Sequence, residues 1–233
     1  MQLKKYRNKA QSFLVDGAKS VLELLTSEYE VTHLIGTRAF FENNDDLLAK
    51  LNMHQEIVTE KQLSTISALK TNDSVLAVAR YLPGEPFKLE TGEYCIALDR
   101  VRDPGNLGTI VRIADWYGIT KLVCSGDCTD FYNPKVIHAS MGSFTRVVAY
   151  YGHLKSLLAG QTVYGTALQG ENVHHLVFGN GGIILVGNEA DGVSEDLNSL
   201  VSTWISIPRF GAAESLNAAI ATAVICDNLQ RMR

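Results

Sequence analysis

The sequence predicts an α/β fold in two parts: a small N-terminal α/β domain over residues 1–85, a linker over 86–92, and a C-terminal domain over 93–233 built on a mostly parallel sheet. Three observations predict it. Hydrophobic residues make up 46% of the 233 and charged residues 20%, the balance of a chain with a packed core and not of a disordered, collagen-like or coiled-coil sequence. Beyond residue 93, short apolar runs alternate with helical stretches, and strands buried by intervening helices form parallel sheets. Between the two parts, Tyr81 to Glu90 carries two prolines and a glycine, which suppress helix and central strand alike.

In the first part, Ala18–Leu25 sets Val21, Leu22, Leu24 and Leu25 beside polar positions, an amphipathic helix, while Val31–Ile35 and Ser74–Ala79 read as strands. In the second, strands are read at Tyr94–Leu98, Lys121–Cys124, Arg146–Ala149, Val163–Ala167, Ile183–Val186 and Trp204–Ile207. The last helix is read over Glu214–Gln230, with Leu216, Ala219, Ile220, Ala223 and Val224 on one face and Ser215 and Asn217 in its first turn. There is no internal repeat or low-complexity segment.

Charge and cysteine usage narrow the function. A net charge of −4 excludes a uniformly basic coat for nucleic acid, which draws on many phosphate contacts, and leaves a local patch such as Lys4, Lys5, Arg7 and Lys9. The charged N-terminus has no apolar run after it, and no segment approaches the roughly 20 apolar residues that cross a bilayer, so a cytoplasmic protein without membrane contact is expected. Cys95, Cys124, Cys128 and Cys226 suit a reduced compartment. No second ligand pair accompanies Cys124 and Cys128, so they read as buried strand-end thiols rather than half a zinc site, and His174-His175 reads as a loop pair. No metal is expected.

Three loops at strand ends are unusual. The first, Leu98 to Arg112, runs from a strand through a glycine-containing turn into a helix and exposes amide donors suited to an anion. It lacks the dinucleotide fingerprint G-x-G-x-x-G. Spacing alone reads it as an ordinary turn, with Asn106 as a cap and Arg112 as a solvated helix residue. The second, Leu185 to Ser194, carries glycines that let a ligand approach backbone. The third, Ile207 to Ala221, is a strand, a small-residue loop and a helix start, in which Ser215 or Asn217 caps orphan amides.

Taken together and in order, D-x-x-x-D-P-G-N-L-G-x-x-x-R, V-G-N-E-x-x-G-V-S and I-P-x-x-G-x-x-E-S-L-N-A-A-x-A closely resemble the three motifs of the SpoU family, the RNA ribose 2′-O-methyltransferases of the SPOUT class. The resemblance runs from about Tyr94 to the end of the chain. Arg7 to Gly17 looks like the opening of the small substrate-binding domain, related to RNA-binding ribosomal proteins, that precedes many such catalytic domains. The resemblance implies a deep trefoil knot, which ordinary connection rules would reject. It implies S-adenosylmethionine held mainly by backbone at Gly187, Ile207 and Leu216, with Ala167 close by. It also implies a catalytic or substrate-positioning set of Asn106, Arg112, Glu189, Ser215 and Asn217, and a homodimer pairing through the first-motif helix and the last helix.

Two positions depart from the family pattern: His138 stands where many relatives carry Arg, and Ile113 where Thr commonly follows the first-motif arginine. A histidine, mostly neutral, holds a phosphate less firmly than Arg. The expected activity is methylation of a ribose 2′-hydroxyl in structured RNA, ribosomal before transfer RNA. The alternatives are a catalytically silent SPOUT-like RNA-binding assembly factor and a Rossmann-like nucleotide-binding enzyme. A guanidinium keeps its proton at physiological pH, so Arg112 is expected to stabilise charge and hold phosphate rather than act as a base.

Overall fold

A computed structural model describes residues 1, 3–68, 72–82, 84–86 and 88–231. In chain order its first elements are α1 (Lys4–Ala10), β1 (Ser12–Asp16), α2 (Ala18–Leu25), β2 (Val31–Gly36), α3 (Arg38–Asn43), α4 (Asp45–Leu48), β3 (His54–Ile57), α5 (Glu60–Ile66) and β4 (Val75–Arg80). There follow β5 (Tyr94–Leu98), α6 (Pro104–Trp116), β6 (Lys121–Cys124), α7 (Pro134–Ser140), β7 (Val148–Tyr151), α8 (Leu154–Leu158), β8 (Val163–Asn172), β9 (Gly182–Val186), β10 (Thr203–Ser206) and α9 (Ala218–Arg231). These divide into two compact units, Met1–Pro83 with Tyr132–Thr145, and Gly84–Phe131 with Arg146–Arg233. The described residues between Tyr81 and Glu90 form neither helix nor strand. Pro83 and Phe87, part of that expected break, lie outside the described residues.

The first unit holds a four-stranded sheet in the order β1-β4-β2-β3. β4 runs antiparallel to both β1 and β2, and β2 is parallel to β3. All five residues of β1 are buried. At its centre Phe13, 0% exposed, is ringed by Tyr29, Tyr81, Tyr132 and Phe144 at centroid separations of 4.5 to 6.2 Å. Tyr81 and Tyr132 stack at 4.2 Å, and the Tyr132 hydroxyl accepts the Leu82 N–H at 3.1 Å. Tyr132 and Phe144 flank α7, so residues 132–145 complete this core. α2 matches its expected bounds, while β2 and β4 each run one residue past theirs.

One expectation for this unit needs correction. Arg7, read as part of a basic surface, is buried and donates to the Met1 carbonyl at 3.2 Å. A seven-residue helix turns only one side outward, and Lys4, Lys5 and Lys9 hold it. His138 is exposed on α7.

The second unit holds a six-stranded sheet in the order β10-β8-β9-β5-β6-β7, and every pairing in it is parallel. β5 and β9 are buried along their whole length, as expected of strands covered on both faces. Successive side chains point to opposite faces. Cys95 and Ala97 accordingly enter one apolar cluster with Ile183, Leu185, Leu154, Leu158 and Leu197. α6 packs on α9, and the Gln230 amide donates to the Tyr117 carbonyl at 2.6 Å. The four cysteines are buried thiols, and burial pushes Cys95 and Cys226 up to about 12. No helix among the described residues is long and apolar enough to cross a membrane.

β5 and β6 match their expected bounds, β9 and β10 each start one residue early, and three elements differ more. β7 begins at Val148, after a 3-10 turn over Ser143–Thr145, and Arg146 forms a forked ion pair with Asp115, with contacts of 2.8 to 3.1 Å. β8 continues to Asn172, and its register against β10 jumps: Trp204 pairs with Gly165 and Ile205 with Glu171. α9 starts at Ala218 instead of Glu214 and buries Ala218, Ala219, Thr222, Ile225, Cys226 and Leu229. Leu216 lies outside the helix and Ile220 is exposed, because the buried stripe starts from Ala218 rather than Leu216.

Phe13→Ala is expected to lower stability by about 3–5 kcal/mol, since four rings lose their common partner and cannot close the cavity. Urea unfolding followed by tyrosine fluorescence checks it.

Candidate active site

The three unusual loops follow β5, β9 and β10. In a parallel sheet all strands end at one edge, and loops leaving that edge form the crevice in which such folds bind ligands. Each loop is shaped locally. In the first, Asp103 caps α6 by accepting the Asn106 N–H at 2.8 Å, and Pro104 occupies the first helical position, where its missing N–H costs nothing. Asp103 is therefore the cap, contrary to the reading of Asn106 in that role. The Asn106 side chain is left to point elsewhere.

In the second loop the chain leaves β9 at Gly187 and makes a tight turn closed by paired backbone bonds between Asn188 and Gly192, of 2.9 and 3.0 Å. The Asn188 side chain accepts the Ala190 N–H at 2.9 Å. A Cβ on Gly187 would stand 2.2 Å from the Gly192 carbonyl carbon and 2.3 Å from the Val193 nitrogen. The need for glycine there is thus met inside the chain, by the returning strand of its own turn. In the third loop, Asn217 caps α9 and accepts the N–H groups of Ala219 and Ile220 at 3.0 and 3.3 Å. The loop before it is exposed from Arg209 to Asn217.

These loops meet through one chain of hydrogen bonds. The Asn106 amide nitrogen donates to the Glu189 carboxylate, and the Asn217 amide nitrogen donates to the Asn106 carbonyl at 2.8 Å. Direction is dictated at one end. A carboxylate only accepts, so Asn106 must turn its NH₂ toward Glu189 and its oxygen toward Asn217, which leaves the Asn217 oxygen for the first amides of α9. The run of dipoles leads from a positive helix N-terminus to a negative charge. Glu189 and Asn217 are exposed, and exposed hydrogen bonds contribute about 1 kcal/mol or less each. The arrangement sets geometry rather than stability.

Of the nine residues singled out in the sequence, the structure brings Asn106, Glu189 and Asn217 together. Arg112 is exposed on α6, outside that chain of bonds, and Ser215 is exposed in the third loop. Gly187 is buried at the end of β9, Ile207 half-buried just past β10, and Leu216 and Ala167 exposed. Ala167 belongs to residues 166–170 of β8, which have no register partner in β10 among the described residues. The site residues named from sequence left out Asp99 and Ser194, the first position of the first motif and the last of the second, whose bonds tie the first loop to the second at 2.6 and 2.8 Å. An acidic residue directly after a fully apolar strand was the available signal.

Residues 93–227 match the SpoU rRNA Methylase family. The chain belongs to that family. Residues 1–77 match the MRM3-like substrate binding domain. SpoU relatives align over nearly the full length. The 23S rRNA (guanosine(2553)-2′-O)-methyltransferase RlmP of Bacillus subtilis is 30% identical over 236 residues, 99% of this chain and 93% of the relative. Among solved SpoU-type structures, the AdoMet-bound rRNA methyltransferase of Sinorhizobium meliloti is 30% identical with a TM-score of 0.87, covering 99% of this chain and 91% of that one. The SpoU methyltransferase AviRb of Streptomyces viridochromogenes, in complex with AdoMet, is 26% identical with a TM-score of 0.89 over 99% and 94% of the two chains.

Gly187→Ala is expected to displace the Asn188–Gly192 turn and to cost about 1–3 kcal/mol, the range for forcing extra volume into occupied space. Thermal unfolding measures the cost, and crystallography of the variant shows the displaced turn.

Proposed function

We propose that the protein transfers a methyl group from S-adenosylmethionine to a ribose 2′-hydroxyl of ribosomal RNA. The observation that carries this reading is the convergence of Asn106, Glu189 and Asn217 from three separate loops at the carboxyl edge of the parallel sheet. The named activities of the SpoU relatives supply the reaction, and two AdoMet-bound neighbours supply the donor. Family membership favours an enzyme over a silent assembly factor, and the polar set shows no missing member.

The edge suits such a donor. Leu168 and Phe210 are 75% and 96% exposed there, apolar surface matched to an adenine, beside backbone at Ala167, Gly187, Ile207 and Leu216, the residues that would hold it. When bound, S-adenosylmethionine offers a methyl group on a sulfonium, whose displacement requires no metal. The difficulty lies in the acceptor, because a ribose hydroxyl is a poor nucleophile near neutral pH. Amides and a guanidinium are not proton acceptors, so the Glu189 carboxylate is the member of the set suited to take the 2′-hydroxyl proton. Arg112 stabilises the developing oxyanion and grips the neighbouring phosphate through its planar fork, while Ser215 positions the acceptor. β9 lies between β8 and β5 in the sheet, an inward return of the chain that supports the knot reading.

Lys4, Lys5 and Lys9 on α1 offer the first unit a local cationic surface for the RNA, without Arg7. Residues 1–85 serve as the RNA-binding domain and 93–233 as the catalytic one. The setting is the cytoplasm. The functional form is a homodimer through α6 and α9, whose Trp116 and Ile220 remain exposed and apolar, consistent with the prevalence of two-fold dimers.

Arg112→Ala is expected to slow single-turnover methylation of unmethylated 23S rRNA by about a hundred- to a thousandfold, with Arg112→Lys restoring little. Calorimetry should show S-adenosylmethionine binding unchanged in the variant. Near-normal methylation by Arg112→Ala would remove Arg112 from the active set. Light scattering at micromolar concentration should give a dimer mass, and a monomer mass would refute the pairing.

A further inference from the structure

The contact between Asn106 and Glu189 exists only while the Asn188–Gly192 turn stands in one place. Asp99, the residue after β5, is 3% exposed, and a buried carboxylate is costly unless hydrogen-bonded. One of its oxygens accepts the Ser194 N–H at 2.8 Å, the Ser194 hydroxyl at 2.6 Å and the Arg100 Nε at 3.4 Å. Hydrogen bonds to a charged acceptor are roughly twice as strong as neutral ones. Ser194 is where the turn rejoins the body of the unit.

Arg100 holds the rest of the turn. Its backbone has φ +57°, a left-handed conformation that a non-glycine residue keeps only when its surroundings impose it. Those surroundings are visible. The Arg100 N–H donates to the Ser125 hydroxyl at 2.9 Å, and its carbonyl accepts the Asn188 amide at 2.9 Å. Its guanidinium donates to the Gly192 carbonyl at 3.3 Å and lies 3.5 Å from the Asp191 carboxylate. Asn188 at one end, Ser194 at the other, and Asp191 and Gly192 in between are thus all tied to two consecutive residues of the first loop.

We propose that Asp99 and Arg100 are positioning residues for methyl transfer, clamping the Asn188–Gly192 turn so that Glu189 meets Asn106. The proposal rests on reading this site as the methyltransferase centre. It differs from general support of the fold in that the damage from loosening the clamp passes through Glu189. A misplacement of about 1 Å can cost on the order of a hundredfold in rate.

Ser194→Ala is the test variant, because it removes one hydroxyl bond to Asp99 and leaves no charge buried alone. In the full-length protein without ligand, hydrogen–deuterium exchange read by mass spectrometry should quicken about tenfold at the amides of Asn188, Ala190, Gly192 and Ser194. Peptides elsewhere should be unchanged. In parallel, methyl transfer to unmethylated 23S rRNA should show kcat about tenfold lower, with KM for RNA and for S-adenosylmethionine within twofold of wild type. On a Glu189→Ala background the same change should cost nothing further, since residues acting as one unit are non-additive. Unaltered exchange across 187–194, or losses that simply multiply in the double variant, would overturn the clamp. An inactive wild type would instead overturn the methyltransferase reading, and exchange alone would then decide the clamp.

Discussion

A carboxylate that can only accept hydrogen bonds sets the polarity of the whole candidate site. Because Glu189 offers no donor, Asn106 and Asn217 each have one orientation, and the line they form ends on the amides that open α9. Two neutral amides in water would sample many arrangements. Here each is held at both ends, so three side chains from distant parts of the chain, one half-buried and two exposed, form one oriented array. The individual bonds are weak, and their value is direction.

That array depends on the sheet beneath it. Strands buried on both faces cannot slip by one residue without turning polar positions inward, and a parallel sheet sends all its loops to one edge. β9 lies between β5 and β8, which makes the loops after β5 and β9 neighbours. Asp99 and Arg100 join those two loops across β5 and β9, where the Asp99 N–H donates to the Val186 carbonyl at 2.9 Å. At the other end of the array, the register jump between β8 and β10 frees residues 166–170 from the ladder at the edge where the third loop begins.

The first unit solves a different problem. Its sheet has four strands, and small domains bury a smaller share of their surface. Four aromatic rings around Phe13 concentrate the burial at one strand, and two of those rings come from residues 132–145. Arg7 belongs to that economy of a small core: placed on the inward side of a short helix, it is buried against its own N-terminus rather than offered to a phosphate.

Much of this was legible in residue order. Alternation and apolar runs located the α2 helix and the central strands within a residue or two, because burial on one or both faces leaves a periodic mark. The three loop motifs, matched in order, identified the family and named Asn106, Glu189 and Asn217 together. What the tertiary structure alone decided are matters of partner choice. A capping residue and a site residue look alike in a string, and only the fold shows Asp103 taking the Asn106 N–H and so releasing the Asn106 side chain. A glycine beside a ligand and one required by its own turn look alike too, and only the fold shows that the returning backbone at Gly192 and Val193 itself requires glycine at Gly187. The start of α9 and the burial of Arg7 are settled by caps and partners that periodicity does not mark, and the clamp at Asp99 rests on contacts between residues far apart in the chain.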